Sequence, residues 1–176
     1  LATVDLGHEF RYLGPEDTER VLVQAWGNPE GAGTLGMILP VDVSPLSARS
    51  WAVIVSYAED GHVSDDDAAE IDYGKLLADM RAATAAENEA RRKDGYPTVE
   101  LLGWAEPPRY DAATHKLYWA KELKFEGSSE NTLNYNIRAL GRRGVLALVC
   151  DSTNVFRHGE SGSEAAVRNS LKALLA

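Results

Sequence analysis

The sequence predicts an α+β fold, a mostly antiparallel sheet with a long helix and a shorter helix packed on it. Apolar residues recur with helical spacing in two segments of the first half, whereas alternation with a period of two dominates the second half. The segments follow in the order strand, helix, two strands, long helix and four strands, which is typical of helices that cover one face of a sheet. A C-terminal amphipathic helix is expected to complete the fold.

The elements of the first half are predicted by their start and stop signals. EFRYL at 9–13 is a short candidate strand. A helix follows from about Pro15 to Trp26, because proline suits a first helical turn and the next two residues are acidic, which favours a helix N-terminus. TLGMILP and SWAVIVSYA then form strands, and the second is apolar on both faces, so we expect it to be central.

The long helix and the second-half strands are predicted by a change of period. From Ile71 to about Lys93 apolar residues form one helical stripe, and Gly95 and Pro97 end the helix. TVELLGWAE, HKLYWAKELKF, NTLNYNIRAL and VLALV then form an antiparallel meander. The third of these strands has one apolar face, formed by Leu133, Tyr135, Ile137 and Ala139.

Composition excludes several classes of protein. A chain of 176 residues with 44% hydrophobic and 26% charged residues suits one soluble domain, and no stretch is apolar enough to span a membrane. The net charge of −9 disfavours nucleic-acid binding. The single cysteine, Cys150, excludes an internal disulfide and any cysteine-based metal cluster built within the chain.

We expect no cofactor and no catalytic residues. The four histidines lie far apart and lack the spacing of a metal motif, and there is no GxSxG nucleophile motif. Ser64 and Asp67 resemble a helix capping box more closely than a calcium loop. Cys150, at the end of an apolar strand, is expected to be a buried small hydrophobic residue.

Four residues are candidates for binding. Trp104 and Tyr110 flank Pro107-Pro108 and could line a groove, because aromatic side chains offer a large apolar area at low entropic cost. Arg142 and Arg143, in the turn GRRG, could bind an anion through their guanidinium groups, or could simply keep the end of the sheet solvated.

Most of the chain resembles one bacterial family. The stretches concerned are FRYLGPEDTERVLVQAWGNP, LGMILPVDVSPL, SWAVIVSYAEDGHVSDDDAAEIDYGKLL and GWAEPPRYDAATHKLYWAKELKF, followed by TLNYNIRALGRRGVL. They resemble the domain of unknown function 2167 family of predicted membrane-anchored proteins, over about residues 1–146, which we take as a single α+β domain. The resemblance implies a location on the extracytoplasmic side of the cell membrane, with tethering through segments absent from this chain. It supplies no catalytic residues.

The last residues, about 147–176, differ from that pattern. LVCDSTNVFRHGESGSEAAVRNSLKALL is similar to the DSTN segment of metallo-β-lactamase-fold ribonucleases of the ribonuclease J type. This resemblance implies that Asp151 corresponds to a metal ligand. The partner motif HxHxDH is absent from the sequence, so Asp151 is expected to be a turn or cap residue and not to bind metal.

The two resemblances predict a chimeric junction near GVLAL, with the tail either foreign to the domain or native to it. The tail can still fold locally. Ser161 and Glu164 form a capping box, and Val167, Leu171 and Leu174 form an apolar stripe that could dock a C-terminal helix on the sheet.

Two functions from different classes follow. The first is an extracytoplasmic domain of a cell-envelope protein that binds an unknown envelope protein or a small ligand, without catalysis and without nucleic acid. The alternative is a fragment or fusion of a metallo-β-lactamase-fold nuclease, inactive here because it lacks HxHxDH.

Overall fold

The structure, a computed structural model, describes residues 3–47, 51–66, 68 and 70–152. These residues fall into two compact units, one reaching to Ser56 and the other comprising Tyr57–Asp151. No helix in the described ranges is both long enough and apolar enough to cross a membrane.

The first unit contains three antiparallel strands and one helical segment. The strands are β1 (Phe10–Leu13), β2 (Gly36–Pro40) and β3 (Trp51–Ala58), and β2 pairs with both of the others. Helix α1 (Pro15–Arg20) begins at a proline, as predicted, and continues into a π-helical segment, Val21–Ala25. The core of this unit is formed by buried side chains from the helical segment, β2 and β3: Leu22, Met37, Leu39 and Ala52.

The second unit contains the longer strands, in the order β7-β6-β5-β4. They are β4 (Val99–Asp111), β5 (Lys116–Phe125), β6 (Asn131–Gly141) and β7 (Gly144–Ser152). Strand β5 pairs antiparallel with β4 and with β6, and β4 carries three irregularities of register. The predicted meander is therefore present.

Helix α2 (Tyr73–Lys93) lies along the edge strand β4. Asp72 caps its N-terminus, because the Asp72 carboxylate accepts hydrogen bonds from the backbone N–H groups of Gly74 and Lys75 at 2.9 and 3.0 Å. No residue of α2 is fully buried. The half-buried positions follow one narrow stripe, as expected for a helix that touches a sheet along a line.

The predicted α+β class is wrong, because the described chain consists mainly of seven β-strands, three in the first unit and four in the second, with only two helical segments. The apolar stripe of the long helix predicts a helix that covers a sheet face. In the structure α2 instead hydrogen-bonds the backbone of β4 through polar side chains. The predicted C-terminal amphipathic helix, with its capping box and apolar stripe, lies outside the described residues.

Candidate functional site

Two turns of the second unit meet at one end of its strands. Strand β5 begins where β6 ends, with Lys116 opposite Ala139. The backbone N–H of Leu140 donates to the carbonyl oxygen of His115 at 2.9 Å. The β4–β5 turn and the β6–β7 turn, which carries Arg142 and Arg143, are therefore held side by side.

The β4–β5 turn has an unusual backbone conformation at its last residue. His115 has φ of 49°, in the left-handed region, and no other described residue except glycine has a positive φ. The Asp111 carboxylate organises the turn by accepting from the N–H of Ala113 at 3.0 Å. The hydroxyl of Thr114 also donates to Asp111, and this hydrogen bond is the largest cause that lowers the pKa of Asp111.

Asp65, from the acidic loop after β3, joins Tyr110 and His115 in a hydrogen-bonded cluster. Its Oδ2 accepts from the phenol of Tyr110 and lies 2.9 Å from Nδ1 of His115. The Tyr110 hydroxyl is also 3.3 Å from the same ring nitrogen. The carboxylate thus ties a loop, the end of a strand and a turn together.

The cluster shifts the pKa of two of its members. The Tyr110 hydroxyl, and then the His115 ring, lower the pKa of Asp65 because both donate to its charged form. The hydrogen bond to Asp65 raises the pKa of Tyr110 from 10.0 to about 12. Asp65 is therefore an anion and Tyr110 a neutral donor at physiological pH.

The cluster fixes the imidazole of His115 and leaves its far side open. If Nδ1 carries the proton that Asp65 accepts, Nε2 is an acceptor that can bind a donor or take up a proton. The side chain is 61% exposed, and Nε2 has no hydrogen-bond partner in the described ranges.

Arg142 and Arg143 are exposed at the tip of the β6–β7 turn. In the described part of the chain neither guanidinium forms a hydrogen bond or an ion pair. We call His115, Arg142 and Arg143 the cationic end of the second unit. The sequence singled out the two arginines; it gave no sign of His115, because only the fold brings the two turns together.

Trp104 and Tyr110 lie at different places along β4. Trp104 is opposite Lys121 and donates its indole N–H to the carbonyl oxygen of Tyr73 at 3.3 Å. Tyr110 is opposite Leu117, four residues nearer the turn on β5, or about 13 Å away along the strand. The structure brings Tyr110 into the cluster at the turn, and it places Trp104 against the start of α2.

The acidic loop and Asp151 also differ from their expected roles. Ser64 bonds locally, with its hydroxyl 2.8 Å from Asp66 Oδ2, and α2 takes Asp72 as its cap. Asp67 lies outside the described residues. Asp151 falls within β7 and not in a turn, because the apolar strand continues to Ser152. Cys150 is buried, as expected.

Within the described residues no three His, Cys, Asp or Glu side chains lie close enough together to hold a metal ion. What the fold and the site define is a β-rich domain with a helix along one sheet edge and a cationic end at two adjacent turns.

The chain belongs to the family described as "Protein of unknown function (DUF2167)", which it matches over residues 1–161. This confirms the family resemblance. The match continues past residue 146, where the sequence predicted the family-like region to end, and through the predicted junction. The junction itself is supported by neither the family match nor the structure.

Two individual proteins are similar to parts or to the whole of the chain. A stretch of 39 residues is 56% identical to ribonuclease J of Sinorhizobium meliloti, covering 22% of this chain and 7% of that protein. The chain therefore spans less than a tenth of that relative's length. The solution structure of cyanobacterial PsbP (CyanoP) from Synechocystis sp. PCC 6803 aligns over 98% of this chain and 94% of its own, with 8% identity and a TM-score of 0.46.

Proposed function

We propose that this domain is a non-catalytic binding module that recognises an anionic group on a cell-envelope partner through its cationic end. The observation that carries the proposal is the hydrogen bond from the Leu140 N–H to the His115 carbonyl oxygen, 2.9 Å long. It fixes a turn with two exposed arginines beside a histidine whose ring is itself held by Asp65.

Electrostatics favours a single anionic group over a polyanion as the ligand. The chain carries a net charge of −9, so a polyanion such as nucleic acid is repelled at long range. At short range the guanidinium forks of Arg142 and Arg143 can each donate two hydrogen bonds to a carboxylate or phosphate. The ring of His115 adds a third donor when it is protonated.

The chemistry of the cluster favours binding over catalysis. Asp65 orients the His115 ring in the way that a carboxylate orients a catalytic histidine base. The group beside this ring that such a base could activate is the Tyr110 phenol. The pKa of that phenol is raised to about 12, so it stays protonated and is a poor nucleophile at neutral pH. The hydrogen bonds of the cluster therefore serve to position the imidazole and to fix the acidic loop.

The location of the domain is part of the proposal. The family resemblance supports a place on the extracytoplasmic side of the membrane, with an anchor in segments outside the given sequence. Fusion of a topology reporter to the full-length protein, followed by protease accessibility in spheroplasts, tests this. A reporter that is protected from protease would contradict it. The short match to ribonuclease J supports no second function, since it spans 7% of that protein.

Titration with inorganic phosphate at constant ionic strength, followed by NMR of the full chain, tests the binding proposal. We expect saturable shifts of the backbone amides at 141–144 and of the His115 ring. The double variant Arg142→Ala/Arg143→Ala should bind phosphate at least about tenfold more weakly, because two charge-assisted contacts are lost.

The matched control is Arg92→Ala/Lys93→Ala, which removes the same charge from exposed positions at the end of α2. Equal weakening by both double variants would mean that only net charge matters, and shifts that never saturate would mean that no site exists. Either result overturns the proposal.

A further inference from the structure

One face of strand β6 is polar and buried. Thr132, Asn134 and Asn136 alternate along the strand and are only 8%, 7% and 4% exposed. In a pleated strand such residues share one face, and the apolar Leu133, Tyr135 and Ile137 point to the other. The sequence marked only the apolar face, yet the polar face is at least as deeply buried.

Part of this polar face satisfies its own hydrogen-bonding groups. The amide nitrogen of Asn136 donates to the backbone oxygen of Asn134 at 3.0 Å and to its side-chain oxygen at 2.6 Å. Asn134 also takes part in a further interaction. The two asparagines are thus explained as a structural network, since buried polar groups are normally paired.

Two nitrogen donors on the same face are not satisfied. Arg138 continues the alternation of β6 and lies opposite Leu117, while Trp119 lies opposite Asn136. The Cζ of Arg138 is 5.3 Å from the centroid of the Trp119 ring. Nη1 of Arg138 and Nε1 of Trp119 are both shielded from solvent, and neither has a hydrogen-bond partner among the residues that the structure describes.

An unpaired guanidinium at this position is energetically unfavourable. Burial lowers the pKa of Arg138, because desolvation disfavours its charged form. Arginine nevertheless keeps its proton in proteins, so the charge remains and requires a counter-charge. No acidic side chain in the described ranges forms an ion pair with it. Contact with the Trp119 ring offsets part of this cost but leaves the donors unused.

We propose that Arg138 and Trp119 form a binding site for the carboxylate group of a small molecule. One carboxylate oxygen accepts from Nη1 of Arg138 and the other accepts from Nε1 of Trp119. The Trp119 ring lies against the guanidinium, and the buried asparagines form the wall of the site on β6. Nη1 and Nε1 are shielded in the described conformation, so the carboxylate enters as the exposed part of the half-buried Arg138 side chain moves aside.

The charges of this face select a monoanion. Arg138 contributes one positive charge, and Lys121, the other cation on this face of β5, is engaged in an interaction of its own. A carboxylate carries one negative charge, which balances one guanidinium. A phosphate dianion would bring a second negative charge into a partly desolvated site, and the described residues of this face offer it no second free cation.

The proposal does not rest on the proposed function, because it involves a different face and different residues. The indole N–H signals of the full chain in a ¹⁵N-resolved NMR spectrum test it. Trp26 and Trp104 serve as internal controls, since their indole N–H groups already donate to Pro45 and Tyr73 carbonyl oxygens at 2.8 and 3.3 Å. The Trp119 signal is assigned with Trp119→Phe, which keeps an aromatic ring and removes the donor.

Acetate, titrated against chloride at matched ionic strength, should shift the Trp119 indole signal downfield and saturably. The Trp26 and Trp104 signals should stay in place. Arg138→Lys should weaken acetate binding about tenfold by removing the planar guanidinium that lies against the Trp119 ring, and Arg138→Gln should abolish it. Arg92→Ala/Lys93→Ala, which removes two positive charges from exposed positions of α2, should leave the Trp119 shift unchanged.

Three results would overturn the proposal: no saturable shift of Trp119 in the unmodified chain, equal shifts of the Trp26, Trp104 and Trp119 indoles, or full retention of binding in Arg138→Gln. An equal response to inorganic phosphate would overturn the selection of a carboxylate. If the Arg138 variants do not fold, the unmodified chain with its two internal controls still decides the question.

Discussion

Asn88 of helix α2 hydrogen-bonds both backbone polar groups of Val99 in strand β4. Its side-chain oxygen accepts from the Val99 N–H and its side-chain nitrogen donates to the Val99 carbonyl oxygen, each at 2.8 Å. A neighbouring strand would make the same two bonds. Two residues along the strand, Arg81 Nε donates to the carbonyl oxygen of Leu101 at 3.1 Å, and the same guanidinium reaches Leu102. Helix α2 thereby covers a sheet edge that would otherwise be open to pairing.

Asn88→Ala should destabilise the chain by about 1–3 kcal/mol, because it leaves two half-buried backbone groups of Val99 without partners. Denaturant unfolding monitored by circular dichroism measures this. Glu89→Ala, one residue along on the exposed side of the same helix, should change the unfolding free energy by about 0.5 kcal/mol or less. Equal effects of the two substitutions would mean that the edge contact contributes nothing.

Tyr110→Phe should remove part of the loss of stability at alkaline pH. The pKa of Tyr110 is raised from 10.0 to about 12 in the folded chain, so its contribution is fully present below pH 10 and is lost as the pH rises towards 12. The unmodified chain should therefore be more stable than the variant at neutral pH, and the difference should shrink over this range.

Unfolding midpoints at neutral pH and at about pH 11 measure that difference, and titration of tyrosinate absorbance should show the loss of one late-titrating group in the variant. Tyr12→Phe is the control. It removes a tyrosine hydroxyl in β1 and leaves the bond between Tyr110 and Asp65 intact, so the late-titrating group should remain. A Tyr110→Phe variant with an unchanged alkaline profile would contradict the role of Asp65.

The strands and their order along the chain could be predicted from the alternation of apolar and polar residues and from the turn residues between strands, because both are local properties of the sequence. The start of α1 at Pro15 and the burial of Cys150 follow from the same kind of reasoning. The position of α2 could not be predicted in this way. An apolar stripe indicates that a helix packs against another element, but it does not identify that element. The hydrogen bonds to the β4 edge are made by Asn88 and Arg81, which the sequence pattern places among the solvated residues.

The candidate sites were predictable only in part, for the same reason. Arg142 and Arg143 stand out as a charged turn, but His115 joins them only through a backbone hydrogen bond to Leu140. Arg138 occupies a polar position of a strand with alternating apolar and polar residues, and such a position is expected to face solvent. Its burial depends on what covers that face, and periodicity carries no information about this.

Gly36→Ala should destabilise the first unit by about 1–3 kcal/mol through overpacking. A Cβ at this position would overlap the ring of Tyr12 and the backbone oxygen of Leu13, where the end of β1 lies beside the start of β2. The Tyr12 ring can move, but the Leu13 oxygen belongs to the strand backbone. Gly103→Ala in β4 is the matched control, because the added Cβ would meet only an ordinary contact with Arg81 at 3.6 Å. Thermal unfolding of both variants measures the difference, and similar midpoints would show that β1 adjusts freely.

The left-handed backbone of His115 separates the backbone and side-chain roles of this residue. Its φ of 49° is unfavourable for any residue with a Cβ and costs glycine nothing. His115→Ala and His115→Gly both remove the ring that Asp65 holds, so the difference between them reports the backbone alone. We expect His115→Gly to be more stable than His115→Ala by about 1 kcal/mol, although glycine ordinarily destabilises relative to alanine. Ala113→Gly, in the same turn at a residue without positive φ, should have the usual opposite sign. Denaturant unfolding of the three variants decides this, and a His115→Ala variant as stable as His115→Gly would mean that the turn relaxes out of the left-handed conformation once Asp65 no longer holds it.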